Sequence, residues 1–372
     1  MRVLIKKGGV MKRSICMYLL ILGTVMLLAQ NFNLTGAGAR AAGMGGAFIG
    51  VADDATAIVW NPAGLTLLER MEVSFVGRSI SESWKYDWDN APDDISQSHF
   101  ILNFLSAAYP FKIGKGKIIG ALAFQKQLDM YYLDEWEDSG IDYSEESTGG
   151  GNTFTFGFAS SIIPVFSVGM CGNVWLGKWE VNTEGSNGYE DKAESDFSGF
   201  NFGTGVMLDL NNLDNPVPLK LGATFKSPFD LKIAWKDARE VTVKMPSMIG
   251  IGTSFRIGEF LTLAADYEMR AYKDQEISYD DGSPSTIISS YDLNQLRIGA
   301  EYMVISDFAV IPIRAGFFTE PTTGNLVEPD GSLGDQIVGN GFSFGSGLIF
   351  TNLLLMYLLQ YPVMKLTGEM MP

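Results

Sequence analysis

The 372-residue chain carries 27 Lys and Arg against 43 Asp and Glu, a formal net charge of -16. That balance lacks the basic stripe nucleic-acid binding requires, and charged residues, at 19%, fall short of the ~25% of ordinary soluble domains. Forty-two glycines and 24 phenylalanines fit many short strands joined by turns better than helices.

The chain opens with an apolar leader, "MKRSICMYLLILGTVMLLAQN", with Met11 as the expected start. Lys12 and Arg13 form a positive head and Ile15–Leu28 an apolar stretch of signal-peptide length. The stretch is shorter than the roughly 20 residues a spanning helix needs. Residues 1–29 are therefore expected to be an export signal, cut near Ala29 or Gln30. Of the two cysteines, Cys16 lies in this leader, and Cys171 is expected to be a small apolar strand residue. No CxxC pair marks a metal or redox site.

Residues 30–69 come next, and "ARAAGMGGAFIGVADDATAIVWNPAGL" (39–65) is their centre. Gly43, Gly45 and Gly46 permit close packing and positive φ, and Asn61-Pro62 sets a turn. If a barrel follows, a segment of such small residues can fold tightly and tuck into its lumen as a hatch. The bland alternative is a compact cap with no ligand role.

After Glu69 twelve segments alternate: Met71–Ser83, Phe100–Pro110, Lys117–Tyr131, Asn152–Val165, Ser167–Val181, Phe197–Leu210, Pro218–Trp235, Thr242–Ile257, Phe260–Lys273, Leu293–Val304, Phe308–Phe318 and Gly341–Phe350; the apolar tail Asn352–Met364 makes a thirteenth candidate strand. In "LTLAADYEMRA", Leu261, Leu263, Ala265, Tyr267 and Met269 point one way and Thr262, Asp266, Glu268 and Arg270 the other. In "NQLRIGAEY", Leu296, Ile298, Ala300 and Tyr302 alternate with Gln295, Arg297 and Glu301; in "LKLGATFK", Leu219, Leu221, Ala223 and Phe225 alternate with Lys220, Thr224 and Lys226.

Alternation alone fits either a soluble barrel, greasy inside, or a membrane barrel, greasy outside. The connections choose between them. Glu82–Ser98, Asp134–Gly151, Asn182–Ser195, Asp274–Asp292 and Thr319–Asn340 read as long and Lys236–Val241 as the one modest outer loop, whereas Phe111–Gly116, Asn211–Val217 and the links near Pro164, Gly258–Glu259, Ile305–Asp307 and Thr351 read as shorter or tight. Long loops on one side and short turns on the other belong to an outer-membrane barrel. Trp84, Trp136, Tyr131, Tyr132, Trp179 and Trp235 would suit its interfacial girdle. The acidic loops "LDEWEDSGIDYSEES" and "EGSNGYEDKAESD" read as solvated surface without EF-hand spacing.

The opening segment resembles the N-terminal hatch of the FadL/TodX outer-membrane transporters and the related PorV/PorQ proteins. Their Arg-x-x-Gly-Met-Gly-Gly-Ala stretch, Asp-Asp pair and Asn-Pro-Ala-Gly match Arg40, Gly43, Met44, Gly45, Gly46, Ala47, Asp53, Asp54, Asn61, Pro62, Ala63 and Gly64. Further matches follow in order in "GATFKSPFDLK", "MPSMIGIGTSFRI", "LRIGAEY" and "IPIRAGFF", so the resemblance runs from about Arg40 to Phe350. It implies an all-β antiparallel transmembrane β-barrel of about fourteen strands over residues 70–372, plugged by residues 30–69, in the outer membrane. It also implies passive transport of long-chain fatty acids or other hydrophobic molecules. In the PorV/PorQ branch it implies secretion-system protein partners instead. Thirteen runs are one short of that number, and the tail is continuously apolar over Leu353–Leu359. The expectation there is a truncated or frame-shifted end, or a very short last strand.

Chemistry is sparse. The single histidine, His99, has no G-x-S-x-G elbow to serve, and neither a metal site nor a cofactor is expected. Lys220, Lys226, Asp266, Glu268, Arg270, Arg297, Glu301 and Arg314 are the candidate lumen residues. They read either as a self-satisfied ionic network or as guides for a carboxylate headgroup.

Overall fold

The computed structural model describes residues 36–84, 95–114, 116–138, 140–236, 239–287, 289–306, 309–327, 333–349 and 354–363. The expected leader, 1–29, and residues 364–372 lie outside them. The alternating segments form strands β1 (Glu72–Trp84), β2 (Ile95–Ile113), β3 (Gly116–Lys126), β4 (Tyr132–Asp138), β5 (Ile141–Ile163) and β6 (Phe166–Gly185). Then come β7 (Glu190–Asp209), β8 (Leu219–Lys226), β9 (Phe229–Trp235), β10 (Glu240–Met245), β11 (Met248–Ile257) and β12 (Leu261–Arg270). β13 (Glu276–Tyr279), β14 (Thr286–Ile287), β15 (Leu293–Ile305), β16 (Val310–Val327), β17 (Leu333–Ile349) and β18 (Leu354–Val363) complete them.

One antiparallel ladder runs β1-β2-β3-β5-β6-β7-β8-β11-β12-β15-β16-β17-β18. β4 extends the sheet beside β5, and β9, β10, β13 and β14 extend it beyond β8, β11 and β12. The wall thus has thirteen strands among the described residues, one for each run read in the sequence. No pairing of β1 with β18 and no fourteenth strand is present among those residues.

Facing follows alternation. In β12, Leu263, Tyr267 and Met269 are exposed while Asp266, Glu268 and Arg270 are buried. In β15, Leu296, Ile298 and Tyr302 are exposed while Gln295, Arg297 and Glu301 are buried. Phe75 is 69% exposed, whereas Arg297 and Glu301 are each 1% exposed. A soluble fold would reverse this, since an uncovered apolar band of that extent is unstable in water. The inner face, defined by the N-terminal segment that packs on it, is the ionic one.

At the end nearest that segment, turns of two and three residues join β5 to β6 and β11 to β12. The opposite end corrects the sequence reading. Asp134–Gly151, Asn182–Ser195 and Thr319–Asn340, expected as loops, are mostly strand: β4 pairs with β5, β6 with β7 and β16 with β17. Their acidic residues fall on both faces, so the period-2 pattern that marks a half-buried strand is hidden. β5 has 23 residues and β6 and β7 have 20 each, about twice the 9–11 a membrane crossing needs. Strands of that length would project beyond a bilayer.

The facing of the wall changes where it leaves the apolar band. Ser227-Pro228 interrupts β8 and β9, and Pro246-Ser247 interrupts β10 and β11, because proline has no N–H for the ladder. Gly203 pairs with Lys226 below the first break, but Phe197 pairs with Ile233 above it, a shift of one residue in the chain's inward parity. Above the breaks Leu231, Ile233, Val241, Val243 and Met245 face inward and are buried, while Asp230, Lys232 and Lys244 are exposed. This is the facing a sheet adopts in water. It encloses a second apolar cluster with Leu128, Trp175, Trp179, Phe197, Tyr272 and Ile277. Trp179 and Trp235, expected in an outer girdle, are inside it, their rings 4.8 Å apart; odd-numbered positions of β6, β7 and β9 point inward at this height.

Candidate functional site

The N-terminal segment folds as two short helices, α1 (Ala39–Gly43) and α2 (Ala57–Trp60), and a 3-10 turn, Pro62–Leu67. Asn61 is fully buried and brackets them. Its Oδ1 accepts from Ala63 N (3.2 Å), and its Nδ2 donates to Ile49 O and Val206 O (3.1 Å each). The first bond starts the 3-10 turn, the second closes the segment on itself, and the third ties it to β7. Pro62 stands at the turn's first position, where no N–H is needed. Gly45 and Gly46 have φ of +68° and +76°, a region that favours glycine.

The wall meets this segment with glycine. Gly169, Gly205, Gly222, Gly252, Gly299 and Gly316, on six strands, face it so closely that a Cβ on any of them would overlap it. The overlaps would fall on Pro62, Asn61, Ile49, Gly50, Met44 and Gly45 in that order. Side-chain hydrogen bonds complete the fit. Asp266 Oδ2 accepts from Phe48 N (2.6 Å) and Ile49 N (2.7 Å), Ser254 Oγ donates to Gly50 O (2.8 Å), and Ser343 Oγ accepts from Gly45 N (2.9 Å).

The candidate ionic residues gather into two clusters. In the first, Glu301 lies between Arg40, which donates from Nε (3.0 Å) and Nη2 (2.8 Å), and Arg314, which donates from Nε (2.6 Å). Arg40 also pairs with Asp53 and lies 3.8 Å from Asp54, and Lys220 lies 3.8 Å from Asp53. Burial pushes the Asp54 carboxyl up; against the same burial, Arg40 and Lys220 hold Asp53 below the usual carboxylate range. In the second cluster Glu268 accepts from Arg297 (3.1 and 3.3 Å) and pairs with Arg270. Arg297 also lies over the Trp60 ring, 5.6 Å from its centroid. Buried charges persist when they are paired in this way.

Between the second cluster and the outer apolar cluster lies a cavity of about 50 Å³. Ile58, Val59 and Pro62 form its floor, Trp175, Phe229, Met245 and Tyr272 its apolar side, and Asn173, Asn201, Lys226 and Arg270 its polar side. Arg270 is committed to Glu268, whereas Lys226 has no carboxylate within 4 Å among the described residues.

The chain is similar in fold to solved structures. The Ralstonia pickettii toluene transporter TbuX is 15% identical, with a TM-score of 0.52 over 88% of this chain and 97% of that one. A Pseudomonas aeruginosa FadL homologue is 13% identical, with a TM-score of 0.59 over 90% of this chain and 91% of that one. The monoaromatic hydrocarbon channel CymD is 16% identical, with a TM-score of 0.55 over 89% and 94%.

The fold is that of the FadL-type transporters.

No protein-family model and no curated protein matches the sequence. The PorV/PorQ branch has no counterpart among the three structures above. Within the FadL-type frame, the eight ionic candidates lie on the wall's inner face, and the N-terminal segment that carries the motif residues packs against that face. Sequence reasoning missed the cavity's neutral lining: Thr153, Asn173, Trp175, Asn201 and Tyr272. Asn201 Oδ1 accepts from Trp175 Nε1 at 2.9 Å, and Asn173 Oδ1 accepts from Thr155 Oγ1 at 2.7 Å. Inward parity along β5 to β7 was the available signal. Cys171 is buried and lines the same cavity. His99 lies away from it, its Nε2 2.5 Å from Asp129 Oδ2 and its ring stacked on Tyr131 at 4.2 Å.

Proposed function

We propose that this chain is an outer-membrane barrel that admits hydrophobic small molecules passively, residues 1–29 serving as export signal, 30–69 as hatch and 70–372 as barrel. The observation that carries the reading is the inward apolar surface from Trp179 through Phe197, Leu231 and Val243 to the cavity above Pro62. A lumen built only for water and ions would not bury such side chains. A solute leaves water along it, gaining about 25 cal/mol per Å² of apolar surface covered, and no covalent step is needed. The cavity is smaller than the roughly 300–1,000 Å³ of a ligand pocket. Occupancy therefore requires side chains such as Met245 and Met248, which rearrange easily, to move aside.

Long-chain fatty acids are the proposed ligand class, with Lys226 donating to the carboxylate and the acyl chain lying among Trp175, Phe229 and Tyr272. The test is equilibrium binding of dodecanoate and toluene to the purified, detergent-solubilised barrel and to Lys226→Met. Dodecanoate is expected to bind saturably and to weaken about tenfold in the variant, a loss of one charge-assisted bond, with toluene unaffected. Absence of saturable binding for both ligands would sink the transport reading. Equal dodecanoate affinity in the two proteins would remove Lys226 from it.

A further inference from the structure

We infer that the outer mouth of the apolar vestibule is a binding site for organic cations, molecules that join an ammonium group to an apolar body. Two rungs of the inner face carry it, both on the β4-β5-β6-β7 extension above the bilayer. The outer rung is aromatic. Trp136 pairs with Tyr143 across β4 and β5, Tyr143 pairs with Gly185 across β5 and β6, and Tyr189 follows in the β6–β7 turn. The Trp136 and Tyr143 rings stack with centroids 5.5 Å apart and planes 13° apart, and Tyr189 meets Tyr143 edge-on at 6.1 Å. Gly185 leaves room for this row, since a Cβ there would come within 3.1 Å of both tyrosines. Trp136 and Tyr189 remain 40% and 41% exposed, so ring surface is available to a ligand.

The next rung inward is acidic. Asp134 faces Glu145, Glu145 faces Thr183 and Thr183 faces Asp191. The bonds these carboxylates accept come from neutral donors: Glu135 N to Asp134 (3.0 Å), Thr183 Oγ1 to Glu145 (3.2 Å) and Tyr189 OH to Asp191 (3.3 Å). The adjacent lysine, Lys192, turns to the opposite face and pairs with Glu180 (3.4 Å) and Glu194 (3.0 Å). Burial, and then the facing Asp134, pushes the Glu145 carboxyl up. Like charges directly opposed on neighbouring strands destabilise a sheet, and a cation on the rung relieves that repulsion.

The two rungs are two residues apart along each strand, about 7 Å. An ammonium within ~6 Å of the Trp136 ring centroid, on its inward side, stands between the two rungs. Residues 132–147 and 179–196 contain thirteen Asp and Glu and one Lys, so the mouth draws cations from a distance. Among the described residues no three His, Cys, Asp or Glu side chains are placed to hold a metal ion. The aromatic row fits an organic cation instead. This site goes beyond the transport reading and carries charge opposite to that of Lys226.

The experiment is isothermal titration of the full chain in maltoside micelles with benzyltrimethylammonium, and with its uncharged carbon analogue neopentylbenzene. Saturable benzyltrimethylammonium binding is expected, weakened at least tenfold in Asp134→Asn/Glu145→Gln, in Trp136→Leu and in high salt. Neopentylbenzene binding should not change in the double carboxylate variant. The proposal is overturned if benzyltrimethylammonium does not bind saturably, or binds the double variant as tightly as the original while that variant keeps its folded gel mobility. Dodecanoate binding to the same samples reads the Lys226 site separately, so either site can fail alone.

Discussion

Asn61 and Glu301 show how single side chains hold the hatch. Asn61→Ala removes three hydrogen bonds, two of them to the backbone carbonyls of Ile49 and Val206. An unsatisfied buried group costs ~1–3 kcal/mol, so the hatch should lose at least about 2 kcal/mol of local stability, read as faster amide exchange over residues 44–65. Glu301→Gln leaves Arg40 and Arg314 buried against each other, and breaking a buried pair costs about 3–5 kcal/mol; the same exchange experiment should show a larger loss. Asp54 and Asp53 titrate in opposite senses. Asp54, raised by burial, favours the hatch in acid, and that contribution is lost as pH rises through its folded value. Asp53, lowered by Arg40 and Lys220 against burial, favours the hatch at higher pH, and that contribution is lost as pH falls through its folded value. Asp54→Asn should therefore make the hatch more stable at neutral pH and leave it little changed in acid, as measured by exchange at the two pH values.

The six inward glycines and the two proline breaks are the devices that turn a generic sheet into this one. Gly316 approaches Gly45 so closely that Gly316→Val must displace the hatch, although valine suits a strand. The expected result is a wall that keeps its folded gel mobility while residues 36–69 become sensitive to protease; an equally protected hatch would refute the belt. The wall strands and the hatch motif were legible in the sequence because period-2 alternation and the Asn-Pro-Ala-Gly turn are local signals. The β4–β5 and β6–β7 extensions were not, since Asp134, Glu135, Glu145 and Glu146 put acid on both faces and erase the period. The shift at Pro228 was also invisible. A one-residue slip in parity exchanges the two faces of a strand, and only the pairing of Phe197 with Ile233 reveals which face Trp179 and Trp235 share. The ionic clusters were half-legible: their inward facing followed from alternation, but the pairing of Arg40 with Glu301 joins residues 261 positions apart.

Among the described residues the wall has two facings. Toward the N-terminal segment apolar side chains point outward and ionic ones inward; beyond the proline breaks ionic side chains point outward and apolar ones inward. An arginine at Ile251, 56% exposed on the lower outer face, should cost about 2–4 kcal/mol in a lipid bilayer, whereas the same change at Lys232 should be neutral. Spin-label accessibility scanning in lipid, in a Cys171→Ser background, tests the double facing directly. Labels at Leu296, Ile298 and Tyr302 should collide with oxygen dissolved in the bilayer and labels at Gln295 and Glu301 should not, while at Asp230 and Lys232 an aqueous quencher should prevail and at Leu231 and Ile233 neither reagent should reach. Water-accessible labels at Leu296 and Ile298, shielded from the lipid phase, would contradict the account.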